Sequence, residues 1–297
     1  MKLLIAVIGG DARYLELIRQ LQATGNIELN LVGYDKLEQG FTGLNQTEFE
    51  ELDVEELDIV ILPITGTDEE GRVETVFSIE EIRITEEWFR RLKDKAVVFT
   101  GIANDHLSDL TTKTNTTLIQ LLDRDDVAIY NSIPTAEGTI MMAIENTDYT
   151  IHSSRVIVTG FGRVGSTVAN KFAALGAKVS VATRKSADLA RITEMGLTPI
   201  ELNKLPEHTS ECDLLINTIP AMVITKESIQ SLPSNAVIID LASKPGGTDF
   251  DYAKQRGIEA ILARSLPSIV APKTAGKILA DVITQIITKE KESLGWI

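Results

Sequence analysis

Cysteine and histidine are scarce in this sequence, and their scarcity excludes several kinds of site. Among 297 residues there is one cysteine, Cys212, and there are three histidines that lie far apart, His106, His152 and His208. A single cysteine cannot form an intrachain disulfide. These numbers also exclude a cysteine-based zinc site and argue against a histidine cluster, so we expect no metal centre.

Positive charge is scarce as well. The chain carries 29 lysine and arginine residues against 43 aspartate and glutamate residues, which gives a formal net charge of −14. This balance argues against a general nucleic-acid binder, because such proteins need a basic surface that replaces phosphate counterions. It does not exclude an anionic substrate, because a few local cations can outweigh a distant acidic surface.

Long apolar runs are also missing from the sequence. Its apolar runs are far shorter than the roughly 20 residues of a membrane helix. The run Leu3–Ile8 ends in Gly-Gly-Asp and lacks the small-residue cleavage site of a signal peptide. We therefore interpret this run as a buried strand and expect a soluble, cytoplasmic protein.

Both halves of the chain begin with a strand, a turn and a helix. Leu3–Ile8 is followed by Ala12–Gln22, and Arg155–Thr159 is followed by Val164–Leu175, with apolar residues at helical spacing in both helices. Further strands are predicted at Glu28–Gly33, Leu57–Leu62, Ala96–Thr100, Val127–Tyr130, Lys178–Ala182, Asp213–Thr218, Ala236–Leu241 and Glu259–Leu262. This alternation predicts an α/β protein with two doubly wound parallel-sheet domains.

The remaining segments are assigned to helices and loops. Helices are predicted at Thr85–Leu92, Ala136–Glu145 and Ala275–Ile287. The last of these carries a clear apolar stripe, which needs a surface to pack against. Two acidic stretches, Asp35–Glu56 and Thr67–Ile84, have poor periodicity and are interpreted as solvated loops.

The glycine-rich turn at 160–165 matches the pattern G-x-G-x-x-G between a strand and a helix. In this context Gly160 permits the tight turn, Gly162 lets the backbone approach a pyrophosphate, and Gly165 allows close packing of helix on strand. The helix start at Arg163 and Val164 offers N–H groups and a positive dipole end to the pyrophosphate. The pattern predicts a Rossmann dinucleotide site; the alternative is a packing turn without a ligand.

The end of the second strand of this domain indicates which dinucleotide is bound. An NAD site usually has a carboxylate there, which accepts a hydrogen bond from the ribose 2′-OH. This sequence has Thr183, Arg184, Lys185 and Ser186, and no carboxylate before Asp188. Cations and hydroxyls at this place favour the 2′-phosphate of NADP(H). The alternative is a solvated Arg-Lys pair on a loop.

Ligands of doubly wound sheets bind beyond the carboxyl ends of the strands, so the predicted loops there hold the candidate substrate residues. Arg13, Lys244 and Lys273 are cations in such loops of an otherwise acidic chain, and they suit a substrate that carries carboxylates. Arg13 and the N–H groups of Gly9–Asp11 are predicted to hold one carboxylate. Other donors are predicted at Thr135 and Ser243. If the two sheets face each other, these loops line one cleft.

Three motifs resemble the D-2-hydroxyacid dehydrogenase superfamily. Asn131–Glu137 is similar to its connecting segment, Asn217–Pro220 to its stretch under the nicotinamide, and Ala271–Gly276 to its segment with the catalytic histidine. The resemblance implies that Ile219 and Pro220 contact the cofactor and that the C-terminal helix returns to the first domain. It implies a first domain at 1–132 with the helix 275–297, a connecting helix at 133–150 and a Rossmann domain at 151–274. Lys273 replaces the histidine, and Ser243 lies near the position of the clamping arginine, so simple 2-hydroxyacid oxidation is not expected.

A second resemblance covers the whole chain. The segments Ile8–Arg13, Gly40–Gly43, Ile133–Gly138, Ser243–Thr248 and Ala271–Gly276 together are similar to the family of dipicolinate synthase A subunits from endospore-forming bacteria. The resemblance implies synthesis of dipicolinate from a hydroxylated tetrahydrodipicolinate or from dihydrodipicolinate. It also implies a second, flavoprotein-like subunit, a hetero-oligomer, and expression in the mother cell during sporulation.

Forming the aromatic ring of dipicolinate removes a hydride and a proton. NADP+ takes the hydride, and we expect Lys273 to act as general acid or base, with Glu137 as the second candidate. A lysine serves in this way only if burial or a cationic neighbour favours its neutral form; otherwise Lys273 is a carboxylate clamp. Two alternatives remain open, namely a stand-alone NADP-dependent 2-hydroxyacid or 2-oxoacid reductase and a non-catalytic NADP-sensing subunit.

Overall fold

The computed structural model describes residues 2–37, 44–243 and 245–290, so the motif Gly40–Gly43 and the candidate Lys244 lie outside the described residues. The chain divides into two units. Unit 1 comprises residues 1–127 and 271–297, and unit 2 comprises residues 128–270. Among the helices in the described ranges, none is both long and apolar enough to cross a membrane.

Strands and helices alternate along both units. The strands are β1 (Leu3–Ile8), β2 (Ile27–Val32), β3 (Asn45–Gln46), β4 (Ile59–Ile61), β5 (Arg72–Val73), β6 (Ile82–Arg83), β7 (Val97–Thr100), β8 (Thr117–Gln120), β9 (Arg155–Thr159), β10 (Lys178–Thr183), β11 (Thr198–Glu201), β12 (Leu214–Asn217), β13 (Val237–Asp240) and β14 (Glu259–Leu262). The helices are α1 (Ala12–Gln22), α2 (Glu86–Arg90), α3 (Asp105–Lys113), α4 (Asp125–Glu145), α5 (Arg163–Ala174), α6 (Ser186–Glu194), α7 (Leu205–His208), α8 (Lys226–Gln230), α9 (Phe250–Arg256), α10 (Leu266–Val270) and α11 (Pro272–Glu290).

Each unit is built on a six-stranded sheet in which all neighbouring strands are parallel. The order is β3-β2-β1-β4-β7-β8 in unit 1 and β11-β10-β9-β12-β13-β14 in unit 2. Counted within its own sheet, each is the 3-2-1-4-5-6 order of a Rossmann domain. The predicted α/β class with two doubly wound parallel sheets is therefore confirmed. The strand order reverses beside β1 and beside β9, which are the points where such sheets bind ligands.

The central strands are apolar on both faces because each sheet has a core on either side. In β1, Ile5 and Val7 enter the core that contains α1 and α11, whereas Ala6 and Ile8 enter the core that contains α2 and α3. In unit 2, the residues of β9 divide in the same way between two clusters. A continuous apolar run such as Leu3–Ile8 is the sequence pattern that this burial requires.

Helix α11 packs on α1 and completes the core of unit 1. Its residues Leu279, Ile283 and Ile286 are buried in the same cluster as Leu17 and Leu21 of α1. The predicted return of the C-terminal helix to the first domain is confirmed. The helix is also longer than predicted, because it begins at Pro272 and reaches Glu290.

The contact between α11 and α1 depends on Gly276, which gives a first prediction. A Cβ at this position would overlap the carbonyl oxygen of Arg13 and lie 3.0 Å from Cβ of Glu16. We expect Gly276→Ala to lower the stability of unit 1 by about 1–3 kcal/mol, because backbone atoms cannot yield as a flexible side chain does. Thermal unfolding measures the loss, and Lys277→Ala at the next, exposed position is the control. An unchanged melting temperature for Gly276→Ala would show that this contact does not limit stability.

The structure differs from the sequence-based assignment at one predicted strand and at two edge strands. Val127–Tyr130 is helical and belongs to α4, so the prediction of a strand there is wrong. A short apolar run does not distinguish a strand from a buried helical segment by periodicity, and two aspartates in the first turn favour a helix start. The edge strands β8 and β11 have no counterpart among the predicted strands, because only one residue of β11 is buried and none of β8 is.

The acidic stretches are only partly solvated loops. Within Thr67–Ile84, β5 and β6 form an antiparallel hairpin whose residues Val73 and Ile82 are buried. Within the described part of Asp35–Glu56, Leu52 and Val54 belong to the same core. Isolated apolar residues between carboxylates anchor these segments, and a count of charges does not detect them.

Candidate functional site

The glycine-rich turn lies at the carboxyl end of β9, where the strand order of unit 2 reverses. Its first glycine, Gly160, has a φ of +95°, a conformation that favours glycine, and its N–H donates to the carbonyl of Ala182 at 2.9 Å. A Cβ on Gly160 would lie 3.0 Å from Cγ1 of Ile219. The turn is therefore packed tightly between β10 and the loop that follows β12.

Within this turn, Gly165 is packed against neighbouring atoms, whereas Gly162 faces open space. A Cβ on Gly165 would overlap the carbonyl oxygen of Gly160 and lie 2.9 Å from Oγ1 of Thr218. At Gly162, which is exposed and precedes α5, a Cβ would meet no atom within 4 Å. The first-turn N–H groups of a helix have no acceptor within the helix, so this opening exposes donors to a ligand. The turn thus has the shape that a dinucleotide pyrophosphate requires.

An open cavity of about 780 Å³ lies beside the end of β10. Thr183, Arg184 and Ser186 line it, which brings three of the four predicted phosphate-binding residues to one place. The other lining residues come from β11, α6, α7, α8 and their loops, and are Leu189, Glu201, Leu202, Asn203, Pro206, Met222, Val223, Thr225 and Ser228. Lys185 is exposed at the start of α6 and does not line the cavity.

Thr183 is hydrogen-bonded to a carboxylate of α6. Its hydroxyl donates to Oδ2 of Asp188 at 3.0 Å, so its proton is already directed to a carboxylate. Asp188 lies in the first turn of α6, where a negative charge is favourable. Arg184 and Ser186 remain as exposed donors at the cavity, and the turn at this strand end carries one carboxylate that the sequence pattern does not place there.

A buried polar network joins the ends of β9, β12 and β13. Thr159 donates its hydroxyl proton to Oδ1 of Asn217 at 2.7 Å, and Nδ2 of Asn217 donates to Oδ1 of Asp240 at 2.9 Å. The other carboxylate oxygen of Asp240 accepts from the hydroxyl of Thr248 at 2.7 Å and from N–H of Gly247 at 3.0 Å. Thr159, Asn217 and Asp240 are fully buried. The network holds the loops after β12 and β13 against each other.

The remaining candidates of unit 2 lie on these loops and on α4. Ile219 is half-buried and Pro220 is exposed after β12, while Ser243 is exposed after β13. Thr135 and Glu137 lie inside α4, so the prediction of a strand-end loop at Thr135 is wrong, whereas Glu137 lies within the predicted helix Ala136–Glu145. The hydroxyl of Thr135 donates to the carbonyl of Asn131 at 2.7 Å within the helix, whereas Glu137 is exposed.

In unit 1, the candidates Asp11 and Arg13 form one ion pair. Asp11 caps α1 by accepting from N–H of Arg13 at 3.0 Å, and its carboxylate also accepts from Nε and Nη2 of the guanidinium at 2.6–3.0 Å. Arg13 is only 8% exposed. In the described part of the chain, the guanidinium makes all its hydrogen bonds to Asp11. An anionic substrate would therefore meet a cation that is largely neutralised.

The backbone donors beside this pair are not available to a substrate. N–H of Gly9 donates to the carbonyl of Val32 at 2.9 Å, and N–H of Gly10 donates to the carbonyl of Glu74 at 2.8 Å. Glu74 follows β5 and so belongs to the hairpin segment of residues 67–84. The prediction that the N–H groups of Gly9 and Gly10 bind a carboxylate is wrong, because this segment crosses the end of β1 and takes up one of them.

Two buried tyrosines fix the same region. The hydroxyl of Tyr14 donates to the carbonyl of Leu62 at 2.7 Å, and that of Tyr34 donates to the carbonyl of Gly9 at 2.7 Å. Burial raises the pKa of Tyr14 and the pKa of Tyr34 well above the ordinary value for a phenol. Both hydroxyls therefore stay protonated, and they act as structural donors and not as acid–base groups.

Lys273 lies in the first turn of α11 in unit 1 and not in a loop. Its side chain is exposed. The prediction that it occupies a loop is wrong, because Pro272 begins the helix, a position that proline favours.

Sequence reasoning missed Asp240 of unit 2, and it missed the contact of Asp188 with Thr183. Asp240 is the charged residue within the predicted strand Ala236–Leu241 and the last residue of β13, and a charge at the carboxyl end of a buried strand was the available signal. Asp188 follows Thr183, the last residue of β10, by five positions, and the first turn of α6 brings its carboxylate back to the hydroxyl of Thr183. Apart from the apolar residues Val73 and Ile82, nothing in the sequence indicated that the hairpin segment of residues 67–84 crosses the end of β1.

Comparisons with known proteins agree with this architecture. A family model for the N-terminal domain of the dipicolinate synthase A subunit matches residues 4–122, and a model for the C-terminal domain of alanine dehydrogenase/PNT matches residues 128–295. The chain is 50% identical over 285 residues to the dipicolinate synthase A subunit of Bacillus subtilis (strain 168), which covers 96% of each protein.

Solved structures give the same relationship. The crystal structure of the dipicolinate synthase A subunit from Bacillus halodurans is 53% identical, with a TM-score of 0.93 over 96% of this chain and 97% of that one. D-lactate dehydrogenase from Escherichia coli is 12% identical, with a TM-score of 0.62 over 98% of both chains, and shows a shared fold alone. The chain therefore belongs to the family of dipicolinate synthase A subunits.

Proposed function

We propose that this chain is the NADP-dependent oxidoreductase subunit of a dipicolinate synthase. It would oxidise dihydrodipicolinate, formed when a hydroxylated tetrahydrodipicolinate loses water, to dipicolinate. The observation that carries the proposal is the turn at Gly160–Gly165, which is open at the reversal point of the sheet in a chain 50% identical to a component of a dipicolinate synthase. We further propose that it acts in the mother cell of a sporulating bacterium.

The cofactor would lie across the end of the sheet of unit 2. Gly162 and the start of α5, at Arg163 and Val164, would hold the pyrophosphate. Arg184 and Ser186 would hold the 2′-phosphate at the cavity, with Lys185 adding positive charge nearby. The loop at Ile219 and Pro220 would contact the nicotinamide. When bound, NADP+ supplies the two-electron acceptor that ring oxidation needs.

The substrate is a dicarboxylate, and exposed donors would bind it. We assign Lys273 to one carboxylate, because its ammonium is exposed and not engaged in a described ion pair. Ser243 and Lys244 are proposed at the other carboxylate. Arg13 contributes less than its charge indicates, because Asp11 already takes its strongest hydrogen bonds.

Oxidation of the ring also releases a proton, and an acceptor has to take it. Glu137 is exposed on α4, and we assign it to this step because Lys273 lacks the burial of a lysine base. The ring C–H bond breaks, its electron pair and hydrogen leave together as hydride, and the second hydrogen leaves as a proton to the carboxylate. Two electrons and two hydrogens are then accounted for, and the product ring is aromatic.

Substitution of Lys273 distinguishes a clamp from an acid–base group. As a clamp, Lys273→Ala should raise KM by about 10-fold to 100-fold, because a charged hydrogen bond to the substrate is lost. Lys273→Arg should then retain most of the affinity, since the positive charge remains. If Lys273→Ala and Lys273→Arg lowered kcat equally, Lys273 would instead take part in proton transfer. Melting temperatures should stay unchanged, because the side chain is exposed.

The proposal is tested by assaying the purified chain with and without a flavoprotein-like second subunit. We expect NADP+ reduction and dipicolinate formation to depend on this chain and to reach full rate with the partner present. Reduction of a 2-oxoacid by the chain alone would favour the stand-alone reductase. NADP(H) binding without turnover in either mixture would favour a sensing subunit.

A further inference from the structure

We propose that Asp240 is a positioning residue that fixes the two loops at the reaction end of unit 2; this inference rests on the proposed function. Its carboxylate is fully buried and accepts four hydrogen bonds. Oδ1 accepts from Nδ2 of Asn217 and from N–H of Ala242, both at 2.9 Å. Oδ2 accepts from N–H of Gly247 at 3.0 Å and from the hydroxyl of Thr248 at 2.7 Å.

The contacts of Asp240 satisfy a buried carboxylate with neutral donors. A buried carboxylate is costly unless it is paired or fully hydrogen-bonded. In the described residues, every hydrogen bond to Asp240 comes from a neutral donor and none from a lysine or arginine. Four oriented dipoles hold the carboxylate in one place, and the carboxylate in turn holds the four donors. Such mutual fixation gives a rigid arrangement.

The donors belong to the segments that the proposed function uses. Oδ1 of Asn217 accepts from N–H of Ile219 at 3.0 Å and so fixes the start of the proposed nicotinamide loop. The carbonyl of Gly247 accepts from N–H of Val223 at 3.0 Å, and Val223 lines the cavity at the end of β10. Asp240 thereby connects the loop after β13 to the loop after β12. It touches neither the glycine turn nor Arg184.

Asparagine is the informative replacement because it preserves the shape and removes one acceptor. The amide nitrogen of the new asparagine would face either the N–H of Gly247 or the N–H of Ala242. Because this NH2 group only donates hydrogen bonds, it cannot accept one from a backbone N–H. One buried backbone N–H therefore loses its acceptor in either rotamer. A displacement of about 1 Å at a reacting centre can lower a rate by on the order of a hundredfold.

The experiment compares Asp240→Asn with Asp213→Asn in the full chain assembled with its second subunit. Asp213 lies before β12 and accepts from N–H of Arg155 at 2.7 Å, at the opposite, amino end of the same sheet. We expect Asp240→Asn to lower kcat by about 10-fold to 100-fold, while the Kd for NADPH, measured by fluorescence, changes by less than about threefold. Asp213→Asn should leave kcat unchanged. Expressing kcat per NADPH-binding site removes any contribution from misfolded protein.

Hydrogen exchange tests the inference independently of turnover. Asp240→Asn should increase exchange in the segments 219–224 and 245–248 and leave 160–166 unchanged, whereas Asp213→Asn should not alter these segments. If the wild-type protein showed no turnover but the variants showed the expected differences in hydrogen exchange, the proposed function alone would be contradicted. Unchanged exchange in Asp240→Asn, or a kcat equal to that of Asp213→Asn, would overturn the role of Asp240.

Discussion

Replacing Gly162 with alanine should weaken NADP(H) binding by about 10-fold to 100-fold without loss of stability. The added Cβ would meet no protein atom, so folding is unaffected, but it would occupy the opening through which the backbone reaches the pyrophosphate. At Gly165 the same substitution should act on stability, because the Cβ would overlap the carbonyl oxygen of Gly160. We expect unit 2 to lose about 1–3 kcal/mol in that variant.

The two alanine variants are controls for each other. Calorimetric titration of NADPH measures affinity, and thermal unfolding without ligand measures stability. Gly162→Ala should keep the wild-type melting temperature, and Gly165→Ala should melt several degrees lower. If Gly162→Ala bound NADPH as well as wild type does, the turn would be a packing element and not a dinucleotide site.

Replacing Arg184 with alanine should weaken NADP(H) binding by about 10-fold to 100-fold and leave NAD(H) binding nearly unchanged. Arg184 is exposed at the cavity beside β10, where the 2′-phosphate would lie. A phosphate monoester carries about −1.5 to −2 charges near neutral pH, so the loss of one guanidinium beside it should lower the affinity for NADP(H) strongly. The contact should also weaken as salt is raised, since exposed charges are screened.

Arg191→Ala provides the matched control for Arg184→Ala. Arg191 is exposed on α6, the helix that follows Arg184 in the chain, but it pairs with Glu194 at 2.8 Å and does not line the cavity. Titrations of both cofactors into wild type and the two variants separate a local contact from a change in overall charge. If wild-type protein bound NAD(H) as tightly as NADP(H), the phosphate pocket would be contradicted.

The fold could be predicted from the sequence where burial is complete. Leu3–Ile8 lies between two apolar cores, and its short continuous apolar run, ended by Gly-Gly-Asp, favoured a central strand. The same holds for the strand that precedes Gly160, because a buried run followed by three spaced glycines has few structural solutions. The edge strand β8 escaped prediction because its residues are half-buried or exposed.

The site could be predicted only in part, because side-chain partners are set by contacts distant in sequence. The pairing of Gly10 with Glu74 spans more than sixty positions in the chain, and no local pattern reports it. Asp11 and Arg13 were both assigned to the substrate, whereas the structure pairs them with each other through rotamers that the sequence does not specify. For Asp240, one donor comes from Asn217 of β12, 23 positions away, and the other three come from the loop that follows β13.

The central claim, oxidation of a reduced dipicolinate ring with NADP+ as acceptor, is tested most directly by following a deuterium label. Dihydrodipicolinate labelled with deuterium at the ring carbon that loses hydride would be incubated with the chain, its second subunit and NADP+. We predict that deuterium appears in NADPH in a one-to-one ratio with dipicolinate and that NAD+ gives a much slower reaction. Formation of dipicolinate with the label released only to water would contradict the claim.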